Sequence, residues 1–220
     1  MGPAILTERQ KQFLNEFGKQ PALTDRFILT GGTALAGFYY FHRWSEDLDF
    51  FSTQEIDPLA VSAWLHTIKK VLRFDSFTSQ QSFNRNLFFL TFPDGAQLKT
   101  EFTYFPFPHI EKPLTVKSIR IDSKIDIAVN KIFTIYQNPR SRDFIDLYLL
   151  MTREGYSLDE LVKHARVKFD FHIDPLQLGA QLIRFPKLKD LPRMHIPFSE
   201  GNIHAYFVTC AKSLKSQLLD

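Results

Sequence analysis

The amino-acid sequence predicts an α+β protein of 220 residues, with strands and helices in its N-terminal half and helices alone in its C-terminal half. Strand-like segments that stop at glycine or proline turns are confined to the first half. In the second half, apolar residues recur at helical spacing. Residues 106–113 between the halves contain three prolines, which break regular structure. We therefore predict two domains, residues 1–115 and residues 116–220.

Capping and turn residues give the order of elements in the N-terminal half. A Thr7-x-x-Gln10 capping box marks the start of the first helix, and Pro93-Asp94-Gly95 is a strong turn signal between two strands. The predicted elements are a helix from Thr7 to about Gly18, a strand Arg26–Thr30, a helix from Thr33 through Tyr39, a strand Leu48–Phe51, a helix from Pro58 to about Leu72, and a hairpin of Asn84–Phe92 with Ala96–Phe105.

The C-terminal half is predicted to contain five helices. The first shows apolar residues at positions i, i+3, i+4, i+7, i+8 and i+11, starting from Ile125 and ending at Tyr136. A second helix follows Asn138-Pro139, and three more are expected after it. The predicted helices after the first are Ser141–Met151, Leu158–Phe169, Pro175–Arg184 and Ser199–Leu218.

Composition limits the class of protein. The chain is 44% hydrophobic and 23% charged, which is ordinary for a packed globular protein and argues against disorder. Its net charge of +3 permits a polyanionic partner without requiring one. No signal peptide or apolar run of membrane-spanning length is visible, so we expect a cytoplasmic protein that has no contact with membranes. The single cysteine, Cys210, lies in an apolar stretch and is interpreted as a small buried hydrophobe.

Two carboxylates give the sharpest chemical signal. Asp47 and Asp49 flank Leu48 at the start of a predicted strand, and residues i and i+2 of a strand face the same side. Two neighbouring carboxylates repel each other unless a cation lies between them. A divalent ion with oxygen ligands, Mg²⁺ or Mn²⁺, would relieve this repulsion and could also hold substrate phosphates. The pair is therefore a candidate metal site.

A glycine turn precedes this pair. Gly31 and Gly32 let the backbone approach a ligand closely, and the following helix presents N–H groups to an anion, to which the Thr33 hydroxyl can add a donor. Each part also has a simpler interpretation, as a plain turn or as a solvated acidic pair. Asp-x-Asp also occurs in glycosyltransferases and calcium loops, but the Phe-Phe after Asp49 disfavours a calcium loop. His42 is interpreted as orienting the loop.

The ordered combination resembles a known family. Gly-Gly-Thr-Ala-Leu followed by His-Arg-x-Ser-x-Asp-Leu-Asp-Phe-Phe is similar to the AbiEii/AbiGii toxin nucleotidyltransferases, relatives of the MenT toxins in the DNA polymerase β-like superfamily. The resemblance implies a nucleotidyltransferase-type mixed β-sheet with helices, followed by a C-terminal helical bundle. It assigns Asp47 and Asp49 to metal binding and a third carboxylate to a later strand. Glu101 is our candidate, since strand alternation puts it on one face with Lys99 and Thr103, although a plain exposed glutamate is the alternative.

A second resemblance lies in the helical half. Residues 126–133, followed by Arg-Ser-Arg-Asp-Phe-Ile-Asp-Leu at residues 140–147, resemble the lysine helix and the Lys/Arg-Asp-x-x-Asp-Leu motif of the family. The family pattern assigns Lys131 to the triphosphate, and Asp143 and Asp146, one helical turn apart, to ordering it. The alternative is an ion-pair network between two helices. The chain departs from the family in having Gly-Thr where Gly-Ser is common and in carrying Arg140 after Asn-Pro.

The resulting hypothesis is a Mg²⁺-dependent nucleotidyltransferase that uses an NTP as substrate. The resemblance implies a toxin of a toxin–antitoxin or abortive-infection system, with a tRNA 3′ end or a protein as acceptor and a cognate antitoxin protein as partner. A small-molecule nucleotidyltransferase and a catalytically silent RNA-binding or partner-binding member are the alternatives; a basic face with Lys212 and Lys215 would favour RNA. The catalytic candidates are Asp47, Asp49 and Glu101, and the nucleotide-binding candidates are Gly32, Thr33, Arg43, Lys131, Asp143 and Asp146.

Overall fold

The computed structural model describes residues 5–216, with side chains described as far as Leu214. These residues form two compact units, residues 5–108 with 113–122 and residues 109–112 with 123–216. The domain boundary predicted near residue 115 stays a prediction. The end of the last predicted helix at Leu218 and the side chain of Lys215 lie outside the described residues.

The first unit contains a seven-stranded mixed sheet. Its strands are β1 Ile28–Thr30, β2 Leu48–Ser52, β3 Ser76–Ser82, β4 Arg85–Thr91, β5 Gln97–Tyr104, β6 Leu114–Val116 and β7 Ile119–Ile121. Their order in the sheet is β3-β4-β5-β2-β1-β7-β6, in which β2 pairs in parallel with β5 and β1 in parallel with β7, while the remaining neighbours are antiparallel. The parallel β2–β5 pair lies inside the sheet and defines the position of the candidate site.

The helices of the first unit begin at the residues that cap them. The capping box predicted at Thr7 is present, with Gln10 Nα donating to the Thr7 hydroxyl. Helix α3 starts at Gly31, earlier than the predicted Thr33, and continues as a π-helix, Leu35–Tyr40, up to Phe41 in the left-handed region. The helices are α1 Glu8–Phe17, α2 Pro21–Thr24, α3 Gly31–Ala34 with its π-helical extension, and α4 Pro58–Leu72.

Helices α1 and α4 contribute aromatic residues to one face of the sheet. Phe50 of β2 stacks on Phe17 of α1 at 4.4 Å between ring centroids and on Phe102 of β5 at 5.0 Å. Trp64 of α4 meets Phe13 edge-on at 5.2 Å. Each such pair contributes about 0.5–1.5 kcal/mol beyond the burial of its area. Since neighbouring strand residues alternate in direction, Asp47 and Asp49 belong to the opposite face.

The second unit is helical. Its helices are α5 Lys124–Gln137, α6 Ser141–Glu154, α7 Leu158–Phe169, α8 Pro175–Leu182 and α9 Glu200–Ser216, with a 3₁₀ turn at Phe185–Lys187. The buried Asp126 carboxylate accepts hydrogen bonds from the Ile110 and Glu111 backbone and from Lys168 Nζ at 2.7 Å. These bonds attach residues 109–112 to the helical unit. In the described part of the chain, no helix has the length and hydropathy of a membrane span.

The predicted fold class is confirmed, and the differences from the prediction have physical reasons. Strand β3 was missed because its Ser-Phe-Thr-Ser-Gln-Gln-Ser sequence is exposed on both sides and shows no apolar alternation. Strands β6 and β7 are short, at three residues each, and follow the proline-rich stretch. Cys210 is half-buried, so its interpretation as a small buried hydrophobe was wrong, because its part of α9 is partly open to solvent.

Candidate active site

The register of the sheet brings three carboxylates to one face. In the parallel pair β2–β5, Asp49 lies opposite Glu101. Paired residues on adjacent strands point to the same side. Asp47, two residues before Asp49, joins them, since its Oδ2 lies 2.9 Å from Nζ of Lys99, the residue two before Glu101. The structure therefore places all three predicted catalytic residues on the face that α1 and α4 do not cover.

Arginine and threonine side chains hold the Glu101 carboxylate. Arg85 of β4 donates from Nε to Oε1 and from Nη2 to Oε2, both at 2.6 Å, and the Thr103 hydroxyl donates to Oε1 at 2.8 Å. Glu101 is 6% exposed, and this burial alone would raise its pKa. The hydrogen bonds from Arg85 and Thr103 and the charges of Arg85 and Lys99 outweigh burial, so the pKa of Glu101 is lowered. The glutamate is therefore ionised at neutral pH and well ordered.

The positive charges of Arg85 and Lys99 lie next to the carboxylates. Hydrogen bonding to Glu101 raises the pKa of Arg85 against the lowering effect of burial, and the charges of Asp49 and Asp47 add to the increase. The Asp47 and Lys99 side chains are 24% and 27% exposed. This face therefore joins three carboxylates with two cations and is partly open to solvent.

The Gly31-Gly32-Thr33 segment lies against the same carboxylates. Gly31 has φ +67°, and a methyl group added to it would lie 3.1 Å from Asp49 Oδ2. Gly31 is therefore required both for its left-handed backbone and for the closeness of the carboxylate. The buried Thr33 hydroxyl donates to the Asp47 carbonyl and lies 2.8 Å from Ser45 Oγ. Thr33 thereby fixes the backbone that presents Asp47.

The buried Arg43 side chain packs against this turn. It is 1% exposed, and its Nη1 donates to the Trp44 carbonyl at 3.0 Å. A methyl group added to Gly32 would lie 2.1 Å from its Nη2, so the guanidinium requires a glycine at that position. Gln10 of α1 supports the same loop by donating from Nε2 to the Ser45 carbonyl at 2.7 Å. These buried contacts favour a role for Arg43 in shaping the turn; its predicted contact with phosphate stays a prediction.

The helical unit contains the second predicted cluster. Lys131 Nζ lies 2.6 Å from Asp143 Oδ1 and 3.0 Å from Asp146 Oδ2. The lysine side chain is 9% exposed and both carboxylates are buried. Burial would raise the pKa of Asp143, but the charge and hydrogen bond of Lys131 outweigh it and lower the pKa. The predicted association of these three residues is present, and their assignment to nucleotide binding stays a prediction.

Sequence reasoning missed Arg85 and the role of Gln10. Arg85 could have been found by counting strand pairs outward from the Pro93-Asp94-Gly95 turn, because that register puts Leu87 opposite Glu101 and Arg85 opposite Thr103. The hydrogen bond from Gln10 Nε2 to the Ser45 carbonyl joins a helix cap to a distant loop, and no feature of the sequence indicates it.

A mixed sheet with carboxylates on adjacent strands, beside a glycine turn that opens a helix, is the arrangement expected of a nucleotidyltransferase. The family model described as "Nucleotidyl transferase AbiEii toxin, Type IV TA system" matches residues 12–205. The chain belongs to this family of nucleotidyltransferase toxins.

Individual proteins resemble the chain over most of its length. The curated relative "Uncharacterized protein aq_aa25" of Aquifex aeolicus (strain VF5) is 34% identical over 163 residues, which cover 67% of this chain and 69% of that protein. The crystal structure of JHP933 from Helicobacter pylori is similar with a TM-score of 0.62 at 22% identity, covering 97% of this chain and 94% of that chain. At this identity the likeness to JHP933 shows a common fold.

Proposed function

We propose that the protein transfers a nucleotidyl group from an NTP to an acceptor in a Mg²⁺-dependent reaction at Asp47, Asp49 and Glu101. The observation that supports this most directly is the register of β2 and β5, which pairs Asp49 with Glu101 and adds Asp47 on the same face. Carboxylates on one face of adjacent strands repel each other, and binding a cation would relieve that repulsion.

The chain's own groups fit a divalent cation. The donor set consists of carboxylate oxygens, which Mg²⁺ prefers, and the Asp47 side chain is partly exposed. Lys99 and Arg85 already balance part of the negative charge. A bound Mg²⁺ would neutralise charge on the NTP phosphates and polarise them for attack. In this assignment Asp47 and Asp49 hold the ion, while Glu101, fixed by Arg85, completes the acidic face.

The turn at the start of α3 supplies the second half of the proposed site. Gly32 and Thr33 lie in the first turn of a helical segment that extends to Tyr40, so their backbone N–H groups are available to hold phosphate oxygens. We assign Arg43 to positioning this turn, because its guanidinium is buried against Gly32. The turn and the carboxylates would then position the triphosphate together.

The buried Lys131, Asp143 and Asp146 cluster is proposed to order α5 and α6. The lysine charge is already compensated by two carboxylates at hydrogen-bonding distance. A lysine whose charge is already compensated attracts a triphosphate less strongly than an exposed lysine does. Of the two alternatives, nucleotide binding and an ion-pair network between helices, the geometry therefore favours the ion-pair network.

We infer from the family that the acceptor is a tRNA 3′ end or a protein side chain and that a cognate antitoxin counteracts the activity. The family description names a Type IV toxin–antitoxin system. NTPs and tRNA, the substrates of this proposal, would place the reaction in the cytoplasm.

The test is transfer of label from each of the four NTPs, with Mg²⁺, to total tRNA or to protein. We expect label with wild type and with Asp94→Asn, and none with Asp49→Asn. Asp94 is a matched control, since it is an exposed aspartate in a hairpin turn of the same unit. Circular dichroism should show that both variants are folded. Full transfer by Asp49→Asn would refute the assigned site.

A further inference from the structure

The tip of the β3–β4 hairpin exposes an aromatic ring in an unfavourable backbone conformation. Ser82 pairs with Arg85, so Phe83 and Asn84 form a two-residue turn. Phe83 has φ +50°, in the left-handed region where glycine and asparagine are favoured, and the residue is 97% exposed. Neither the backbone nor burial favours phenylalanine at this position. Such an outlier indicates a function for the side chain.

Arg85 lies two residues from Phe83 and connects the hairpin to the carboxylate face. Its side chain is 51% exposed while Glu101, its partner, is nearly buried. The bidentate pair fixes the plane of the guanidinium and uses only part of its N–H donors. An anion such as a phosphate can bind to the remaining donors. The ordered arginine is thus a pre-oriented phosphate site next to the proposed catalytic carboxylates.

The rest of the hairpin is free of acidic groups. Within residues 76–90, Arg85 is the single charged side chain. The exposed residues of β3 carry hydroxyl and amide groups, which bind nucleic acid without repelling its phosphates. They are Ser76, Thr78, Ser79, Gln80 and Gln81.

We propose that this hairpin binds the single-stranded end of a polynucleotide acceptor, with a base stacked on Phe83 and a phosphate bound by Arg85. Stacking accepts any base, and the arginine next to it is the residue best suited to a phosphate. The Arg85–Glu101 pair then links the bound strand to the residues that carry the reaction. This inference rests on the proposed nucleotidyl transfer and adds where on the chain a polynucleotide acceptor would bind.

A protein strand added to the open edge of β3 is the competing occupant. Such pairing uses backbone groups and alternate side-chain pockets. It would require neither an exposed ring at the tip nor an arginine held by Glu101. The features that are unusual in this hairpin therefore favour nucleic acid.

The test is fluorescence anisotropy of a labelled single-stranded RNA of about 12 nucleotides, bound to the full chain and its variants. Phe83→Gly should weaken binding about tenfold, the equivalent of about 1.4 kcal/mol, and Phe83→Trp should restore it. Because glycine adopts φ +50° freely, Phe83→Gly should leave the unfolding midpoint unchanged or higher. The matched control is Leu59→Ala, which removes another exposed apolar side chain (76%) of the same unit and should bind RNA like wild type.

A second measurement isolates the phosphate contact. Arg85→Gln should lower the slope of log Kd against log salt concentration by about 0.7, the value for one phosphate on a single strand. An unchanged slope would remove Arg85 from the proposal. If Phe83→Gly binds RNA as tightly as wild type, the proposed site is overturned. A concentration-dependent dimer that Phe83→Gly abolishes, with no change in RNA affinity, would also overturn it.

Label transfer separates this inference from the proposed function. Transfer to RNA by Phe83→Gly at the wild-type rate and KM would leave the function standing and overturn the hairpin as acceptor site. A raised KM for RNA with an unchanged KM for NTP is the expected result. RNA binding that depends on Phe83, without transfer to RNA or protein by wild type, would refute the proposed function and leave a polynucleotide-binding hairpin.

Discussion

Substitution of Gly32 by alanine tests whether the turn and the buried arginine depend on each other. The added methyl group would lie 2.1 Å from Arg43 Nη2 and 3.1 Å from its Cζ, so the guanidinium must move. Overpacking a core costs about 1–3 kcal/mol, and disturbing the hydrogen bonds of a buried charge costs about 1.5–3 kcal/mol. Alanine recovers about 1 kcal/mol in helix propensity. We expect Gly32→Ala to be destabilised by about 2–4 kcal/mol.

Thermal unfolding followed by circular dichroism measures this effect. A chain of this length loses about 2–4 °C per kcal/mol, which predicts a midpoint about 5–15 °C lower. The control is Gly179→Ala in α8, where the nearest atom to the new methyl is 3.9 Å away and a gain of about 1–4 °C is expected. Adding Gly32→Ala to an Arg43→Ala background should cost little further stability, because the clash is gone. A Gly32→Ala protein as stable as wild type would refute the reasoning.

Two further predictions concern buried charges. Because the pKa of Glu101 is lowered from 4.5 in the fold, its ionised form stabilises the protein above that pH, and the contribution is lost as pH falls through the folded pKa. The difference in urea midpoint between wild type and Glu101→Gln should therefore be full at pH 7 and shrink below pH 4.5; a constant difference would contradict it. Lys131→Met removes the buried cation that Asp143 and Asp146 share, and leaves Asp143 with only the longer contact to the half-exposed Arg140. The change should cost about 3–5 kcal/mol at pH 7, with partial recovery in acid as Asp143 protonates. An unfolding midpoint equal to wild type at pH 7 would show that the cluster contributes nothing.

Sequence reasoning located elements wherever the local signal was strong. The capping box at Thr7, the proline at the start of α4 and the Pro93-Asp94-Gly95 turn each mark an element that the structure contains. The same reasoning placed Asp47 and Asp49 on one side of a strand, because alternation is a property of the backbone. Each of these features depends on residues only a few positions apart, so it can be predicted from a short stretch of sequence.

The pairing of strands that are far apart in the sequence could not be predicted from such local rules. The pairing of Asp49 with Glu101 joins strands about fifty positions apart, and nothing in either segment specifies that β2 and β5 are parallel neighbours. The proposal of Glu101 depended on family resemblance for the same reason. The burial of Arg43 was missed as well, since arginine side chains are mostly exposed in folded proteins. Such positions are decided by tertiary packing, which one sequence without its relatives does not reveal.

The charges around the carboxylates explain how this fold can form before any substrate arrives. Parallel pairing of β2 with β5 forces Asp49 and Glu101 together, which is unfavourable for two anions. Arg85 binds Glu101 and Lys99 binds Asp47, so each of these two carboxylates is paired with its own cation. The two cations come from the antiparallel β4–β5 pair, and β4 begins at the turn that exposes Phe83. Strand β4 therefore supplies Arg85 to the acidic face and also forms one arm of the hairpin that carries the proposed acceptor site. A substrate that engages Arg85 would act directly on the charge balance of the proposed catalytic carboxylates.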